Sequence, residues 1–139
     1  MPNHPEPNWQ PISQLPLLAS MVDGVLANSE EQHETFSHVR AKPHVLDDEI
    51  VNRAINLYQA QLDDLWFYEE QFARWLKAPL TASQRQEVNR LASQLPRIRE
   101  LSEAILALLD EIKRGTINRI LEKSDLELGL EFLLRNRKR

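Results

Sequence analysis

Three long stretches of this chain set apolar side chains alternately three and four positions apart. In the first, Leu15, Leu18, Val22 and Val25 lead on to Ser29, Gln32, Phe36 and Val39. In the second, Val51, Ile55, Tyr58, Leu62 and Leu65 lead to Glu69, Phe72 and Leu76. The third is Val88, Leu91, Leu95, Ile98, Ser102, Ile105, Leu109 and Ile112. Such a period is close to the turn of an α-helix, so each stretch gathers its apolar residues into one stripe. Alternation of period two, the mark of a strand, is missing. A stripe is stable only against another stripe, which predicts an all-α fold: three long antiparallel helices, as a bundle or coiled-coil-like hairpins, plus a short C-terminal helix. A sustained period near 3.5 predicts a gentle left-handed supercoil.

The punctuation between the stripes sets the boundaries. Four prolines in the first eleven residues predict an extended segment over 1–12, with Trp9 its one candidate anchor. A first helix is expected over about 13–42, with Ser13 as N-cap and Pro16 in the first turn. Gly24, and the capping-box pair Ser29 and Gln32, raise the expectation of a break near 24–29. Pro43 and then Asp47 or Asp48 separate this helix from a second over about 48–77. Pro79 ends that one, and Thr81 with Gln84 forms a capping box opening a third over about 82–122. Pro96 sits inside it, where it predicts a kink. Ser124 with Glu127 is a further capping box, predicting a short fourth helix over 125–136 in which Leu126, Leu130, Leu133 and Leu134 are apolar. All of 13–139 reads as a single domain.

Composition excludes several classes of function. With no cysteine in 139 residues there is no disulfide, no Cys-ligated metal site and no thiol nucleophile, and a reducing cytoplasm fits. The N-terminus lacks the charged and apolar regions of a secretory signal, and no apolar run reaches the ~20 residues of a membrane span. Three glycines leave little from which to build a phosphate-cradling turn. A net charge of −4 argues against broad nucleic-acid affinity. The charge is uneven: residues 47–81 carry seven acids and three bases, whereas 82–123 carry eight bases and six acids. An acidic helix beside a basic one is the expected result.

Five of the nine aromatic residues, Trp66, Phe67, Tyr68, Phe72 and Trp75, fall within ten positions of the second stripe. Ile50, Leu57, Tyr68 and Trp75 make a second stripe beside the main one, so the apolar arc is wider than one partner helix needs. Phe67 alone lands on the opposite face. Core packing accounts for most of this cluster, but Phe67 beside Trp66, Tyr68 and Trp75 points to a contact with a second copy of the chain.

Ser29, Gln32, Glu69 and Ser102 are polar residues in stripe positions, where single polar groups fix helix register. Glu69 is expected to pair with an arginine of the third helix, Arg90, Arg97 or Arg99. Glu30 and His33 have the Glu-x-x-His spacing of di-iron bundles, but no second pair follows, leaving only a mononuclear site of Glu30, His33 and Glu69 to consider. Arg135, Arg137, Lys138 and Arg139 supply a basic tail that suits either a helix C-terminus or an anionic partner. Together these features point away from an enzyme and call for no cofactor. They favour a helical interaction or scaffold module that self-associates. A carboxylate–histidine metal protein and a nucleic-acid accessory protein using the basic tail are the alternatives.

Overall fold

The apolar spacing is realised as helix throughout. The computed structural model describes residues 6–41 and 46–138, with side chains as far as Gly115. Residues 6–11 are extended, Ile12–Gln14 forms a single 3-10 turn, and three α-helices follow: α1 (Leu15–Val39), α2 (Asp48–Leu76) and α3 (Ala82–Lys138). There is no strand among the described residues, and no helix there is long and apolar enough to cross a membrane.

Helix starts follow local chemistry. Asp47 caps α2, its Oδ1 accepting from the Ile50 amide at 2.8 Å, with Asp48 and Glu49 in the first turn to complement the helix dipole. Thr81 and Gln84 exchange the two bonds of a full capping box, at 3.0 and 3.1 Å, to open α3. Arg85 reaches back and donates to the carbonyls of Leu76 and Ala78, satisfying the end of α2 from the first turn of α3. At α1 the expectation changes: Ser13 lies within the 3-10 turn, and Gln14 is the N-cap without a side-chain bond.

Two expected breaks are absent. α1 continues through Gly24 and Ser29, and α3 continues through Ser124, so no separate fourth helix begins there. The Ser/Thr-x-x-Gln/Glu pattern therefore marks a helix start at Thr81 and a helix interior at Ser29 and Ser124. The difference at Ser29 is its surroundings: the side chain is buried in the core and spends its hydroxyl there. Pro96 lies inside α3, as the sequence indicates. Pro43 falls outside the described residues.

α1 and α2 both pack along α3, and their own backbones come close at few points. On the α1 side, Asp23 pairs with Arg90 and Arg40 with Glu111, so the numbers rise together. On the α2 side, Glu69 pairs with Arg99 and Gln61 bonds to Ser102, so they run opposite ways. The core has two apolar compartments. One gathers Leu18 and Val22 with Leu65, Phe72 and Trp75 and with Leu91, Leu95 and Ile98; the other gathers Phe36 with Val51 and Tyr58 and with Ile105, Leu109 and Ile112. Every apolar stripe position named for α3 between Val88 and Ile112 is buried.

Candidate interaction surfaces

Between the two compartments lies a polar layer. Gln61 projects from α2 and its Nε2 donates to Ser29 Oγ of α1 at 3.0 Å and to Ser102 Oγ of α3 at 2.7 Å. Both serines are 0% exposed. One amide therefore ties all three helices at one level, with Asn28 donating to the Tyr58 hydroxyl beside it at 3.4 Å. Burial pushes the Tyr58 hydroxyl up from its ordinary pKa, and the Asn28 bond opposes this.

Apolar spacing places Ser29 and Ser102 in the seam but leaves Gln61 out of it. The available signal was register. Val51, Tyr58, Leu65 and Phe72 recur every seven residues and are buried, and the positions three after each are Ala54, Gln61, Tyr68 and Trp75. Gln61 thus occupies a core position of a strict heptad. Following Ile55, Leu62, Glu69 and Leu76 instead shifts the stripe by one residue, onto its α3-facing border. Accordingly Glu69 is exposed, and its pairing with Arg99 is a surface ion pair rather than a buried seam contact. Gln32 is half-buried.

The aromatic stretch divides in three. Phe72 and Trp75 belong to the core, Trp75 being only 4% exposed. Trp66 and Phe67 meet the chain's own N-terminal segment: the Trp9 ring stacks on Phe67 at 5.5 Å and 6°, and meets Trp66 edge-on at 6.3 Å. The Arg74 guanidinium lies 4.1 Å from the Trp9 ring centre, and Trp9 Nε1 donates to Glu6 at 2.8 Å. The residues expected to meet a second chain are thus covered in part by residues 6–11. Sequence periodicity could not report this, because the segment is not helical.

Tyr68, the fourth of the group, faces a different feature. It lines an apolar slot of about 210 Å³ between α1 and α2, with Val22 and Val25 on one wall, Leu57 and Leu65 on the other, and Leu95 and Ile98 of α3 as the floor. Burial, and then the charge of Asp64 in the same wall, raise the Tyr68 hydroxyl pKa. Leu57 is 57% exposed at the slot and Ile50, seven residues before it, is also exposed. On α1, Leu17 and Met21 are exposed as well, Met21 directly before the wall residue Val22. The second stripe of α2 is therefore split: Tyr68 and Trp75 go inward, whereas Ile50 and Leu57 stay in water.

Other candidates are dispersed. Among the described residues no three of His, Cys, Asp and Glu stand close enough to share a metal ion. Glu30 is exposed, His33 half-buried, and Glu69 is engaged by Arg99. The ion cluster that does form is Asp23, Glu87 and Arg90. Arg90 grips both Asp23 oxygens at 2.9 Å and also bonds Glu87, and these bonds hold both carboxyls below their ordinary range. It clamps α1 to α3, and Glu87 and Arg90 also border an open depression of about 650 Å³ between the two helices, with Leu15, Pro16 and Ala19 on the α1 side. The side chains of Arg135, Arg137, Lys138 and Arg139 lie outside those described.

Compared with known proteins, the chain matches no family model, no curated sequence and no solved structure.

Proposed function

We propose that this protein is a non-enzymatic helical interaction module that works as a homo-oligomer. In this reading it is an up-down-up bundle of antiparallel neighbours that lacks a fourth helix. The carrying observation is the slot between α1 and α2, a largely apolar recess with Leu57 and Tyr68 in one wall and Leu95 and Ile98 of α3 as its floor. Four-helix bundles fill that position with an amphipathic helix.

A second copy of the chain supplies such a helix. At 1.5 Å per residue α3 is about 86 Å long, whereas α1 is about 38 Å and α2 about 44 Å, so α3 outruns both by some 40 Å. Among the described side chains, its pairings with α1 and α2 fall between Arg85 and Ile112. The remainder carries Ile117, Ile120, Leu121, Leu126, Leu130, Leu133 and Leu134 among charged residues and ends in Arg135, Arg137 and Lys138, with Arg139 next in the sequence. That basic end complements the acidic α2 wall, which includes Asp64. In a two-fold pair each long helix would enter the other's slot, a closed and self-complementary contact.

Light scattering behind size exclusion tests this on the full chain, with Leu57→Glu as the variant. Leu57 is exposed, so its replacement leaves the bundle intact while placing a charge in the slot. The wild type is expected to elute as a dimer and Leu57→Glu as a monomer of unchanged helix content. A wild type that is monomeric at tens of micromolar, or a Leu57→Glu chain that remains dimeric, refutes the proposal.

A further inference from the structure

Gln71 is 1% exposed and takes its partners from outside the helical core. Its carboxamide closes on the main chain of Gln10, Oε1 accepting the amide N–H at 2.6 Å and Nε2 donating to the carbonyl at 3.3 Å. Trp75 Nε1 donates to the same carbonyl at 2.9 Å. Two buried side chains of α2 thus read both the donor and the acceptor of one extended residue. Buried polar groups of this kind are costly without partners, so the pair is built for a main chain lying across it.

The neighbouring contacts add one side chain to the recognition. Phe67 supplies a flat surface for the Trp9 ring, with Trp66 at the ring's edge and Arg74 against it. Offset stacking and a nearby cation both favour an indole here. The Gln10 side chain takes no part: its Nε2 turns back to the Asn8 carbonyl. What the site reads is a tryptophan followed by a residue with a free N–H, in extended conformation. Pro7 and Pro11 on either side restrict the segment to such a shape.

We propose that this end of α2 is a peptide-binding site for an extended, tryptophan-bearing segment, filled in cis by residues 6–11 and open to the same segment of a second copy. Tethering supplies an effective local concentration of roughly millimolar order, so the cis segment holds the site in a dilute intact chain. Weakening the cis segment hands the site to a segment in trans. The slot between α1 and α2 is not involved.

The probe is a fluorescein-labelled peptide of residues 4–13, titrated by anisotropy with full-length protein. The Trp9→Ala chain is expected to bind it roughly tenfold more tightly than wild type, because its own segment has lost the stacking contact. Adding Phe67→Ala to that chain, or replacing Trp9 by alanine in the peptide, is expected to abolish binding, whereas adding Leu57→Glu leaves it unchanged. If the Trp9→Ala chain loses helix content, Gln10→Pro takes its place, since it removes the N–H that Gln71 accepts and keeps the Trp9 ring. Equal affinity for wild type and variant, binding indifferent to the peptide's tryptophan, or no binding at about 1 mM peptide-site concentration would each overturn the proposal.

Discussion

Replacing Gln61 by leucine should destabilise the protein, and removing both serines as well should restore it. The amide of Gln61 is one donor group serving two hydroxyls that no water reaches, Ser29 and Ser102. Leucine fills the space but donates nothing. Each buried polar atom left without a partner costs about 1–3 kcal/mol. Both hydroxyls sit within helices and retain the option of donating to a carbonyl one turn back, which places the cost near the lower bound, about 2–3 kcal/mol in all. Added burial of the leucine offsets about 1 kcal/mol of this. The net loss is then about 1–2 kcal/mol, which with a urea slope of about 2 kcal/mol/M lowers the midpoint by roughly 0.5–1 M. In Ser29→Ala/Gln61→Leu/Ser102→Ala no polar atom remains to be satisfied, so the midpoint should return to the wild-type value or exceed it. Far-UV circular dichroism during urea unfolding reads all three proteins. An unchanged midpoint for the single variant, or a triple variant less stable than the single, would refute the account of this layer. If the layer also sets register, the triple variant should show extra or broadened amide resonances despite its stability.

Gly24 is an exposed residue inside α1, and a methyl group built on it meets nothing within 4 Å. Gly24→Ala should therefore raise stability by about 0.5–1 kcal/mol, seen as a higher urea midpoint with unchanged slope. The Asp23–Glu87–Arg90 cluster predicts a pH effect: both carboxyl pKa values are lowered in the folded chain by bonds from Arg90. Their contribution is therefore complete above the ordinary values of 3.8 and 4.5 and is lost as pH falls through the depressed folded values. Arg90→Met should flatten the acid limb of stability against pH below about 4.5 and leave the neutral-to-alkaline limb unchanged; because all three groups are solvent-exposed the effect is small.

The helices were legible because burial against a single central helix leaves a strict signature: on α3 every expected apolar position, Val88 through Ile112, is buried. α2 was harder because it has apolar residues on three sides. Border positions such as Ile55 and Leu62 compete with the true heptad of Ala54, Gln61, Tyr68 and Trp75, and a small or polar residue at two of those four weakens the signal. The polar layer was half visible, since a serine in an apolar stripe stands out whereas a glutamine beside it resembles surface. The N-terminal contact had no periodic signal at all. It depends on two side chains, Gln71 and Trp75, recognising main-chain atoms whose positions only the folded chain defines. Helix breaks were overestimated because capping patterns are local: α1 runs through Gly24 and through Ser29, whose hydroxyl is taken up by Gln61 in the core, and α3 runs through Ser124.

That both shorter helices rest on α3 has a consequence for the order in which the chain is assembled. α2 and α3 are joined by the short connection 77–81 and form a hairpin of neighbouring contacts, the kind that closes quickly. The surface that receives α1 is made last: Arg90, which grips Asp23, lies 67 residues further along. At a synthesis rate of about 5–20 residues per second, α1 leaves the ribosome roughly 3–13 seconds ahead of its docking site. During that interval Leu15, Leu18 and Val22 lack the α3 side of their compartment, Leu91, Leu95 and Ile98, which leaves them exposed to chaperones and to neighbouring chains on a polysome. Refolding from urea escapes this delay, and the short connection predicts that the α2–α3 hairpin forms before α1 docks onto it.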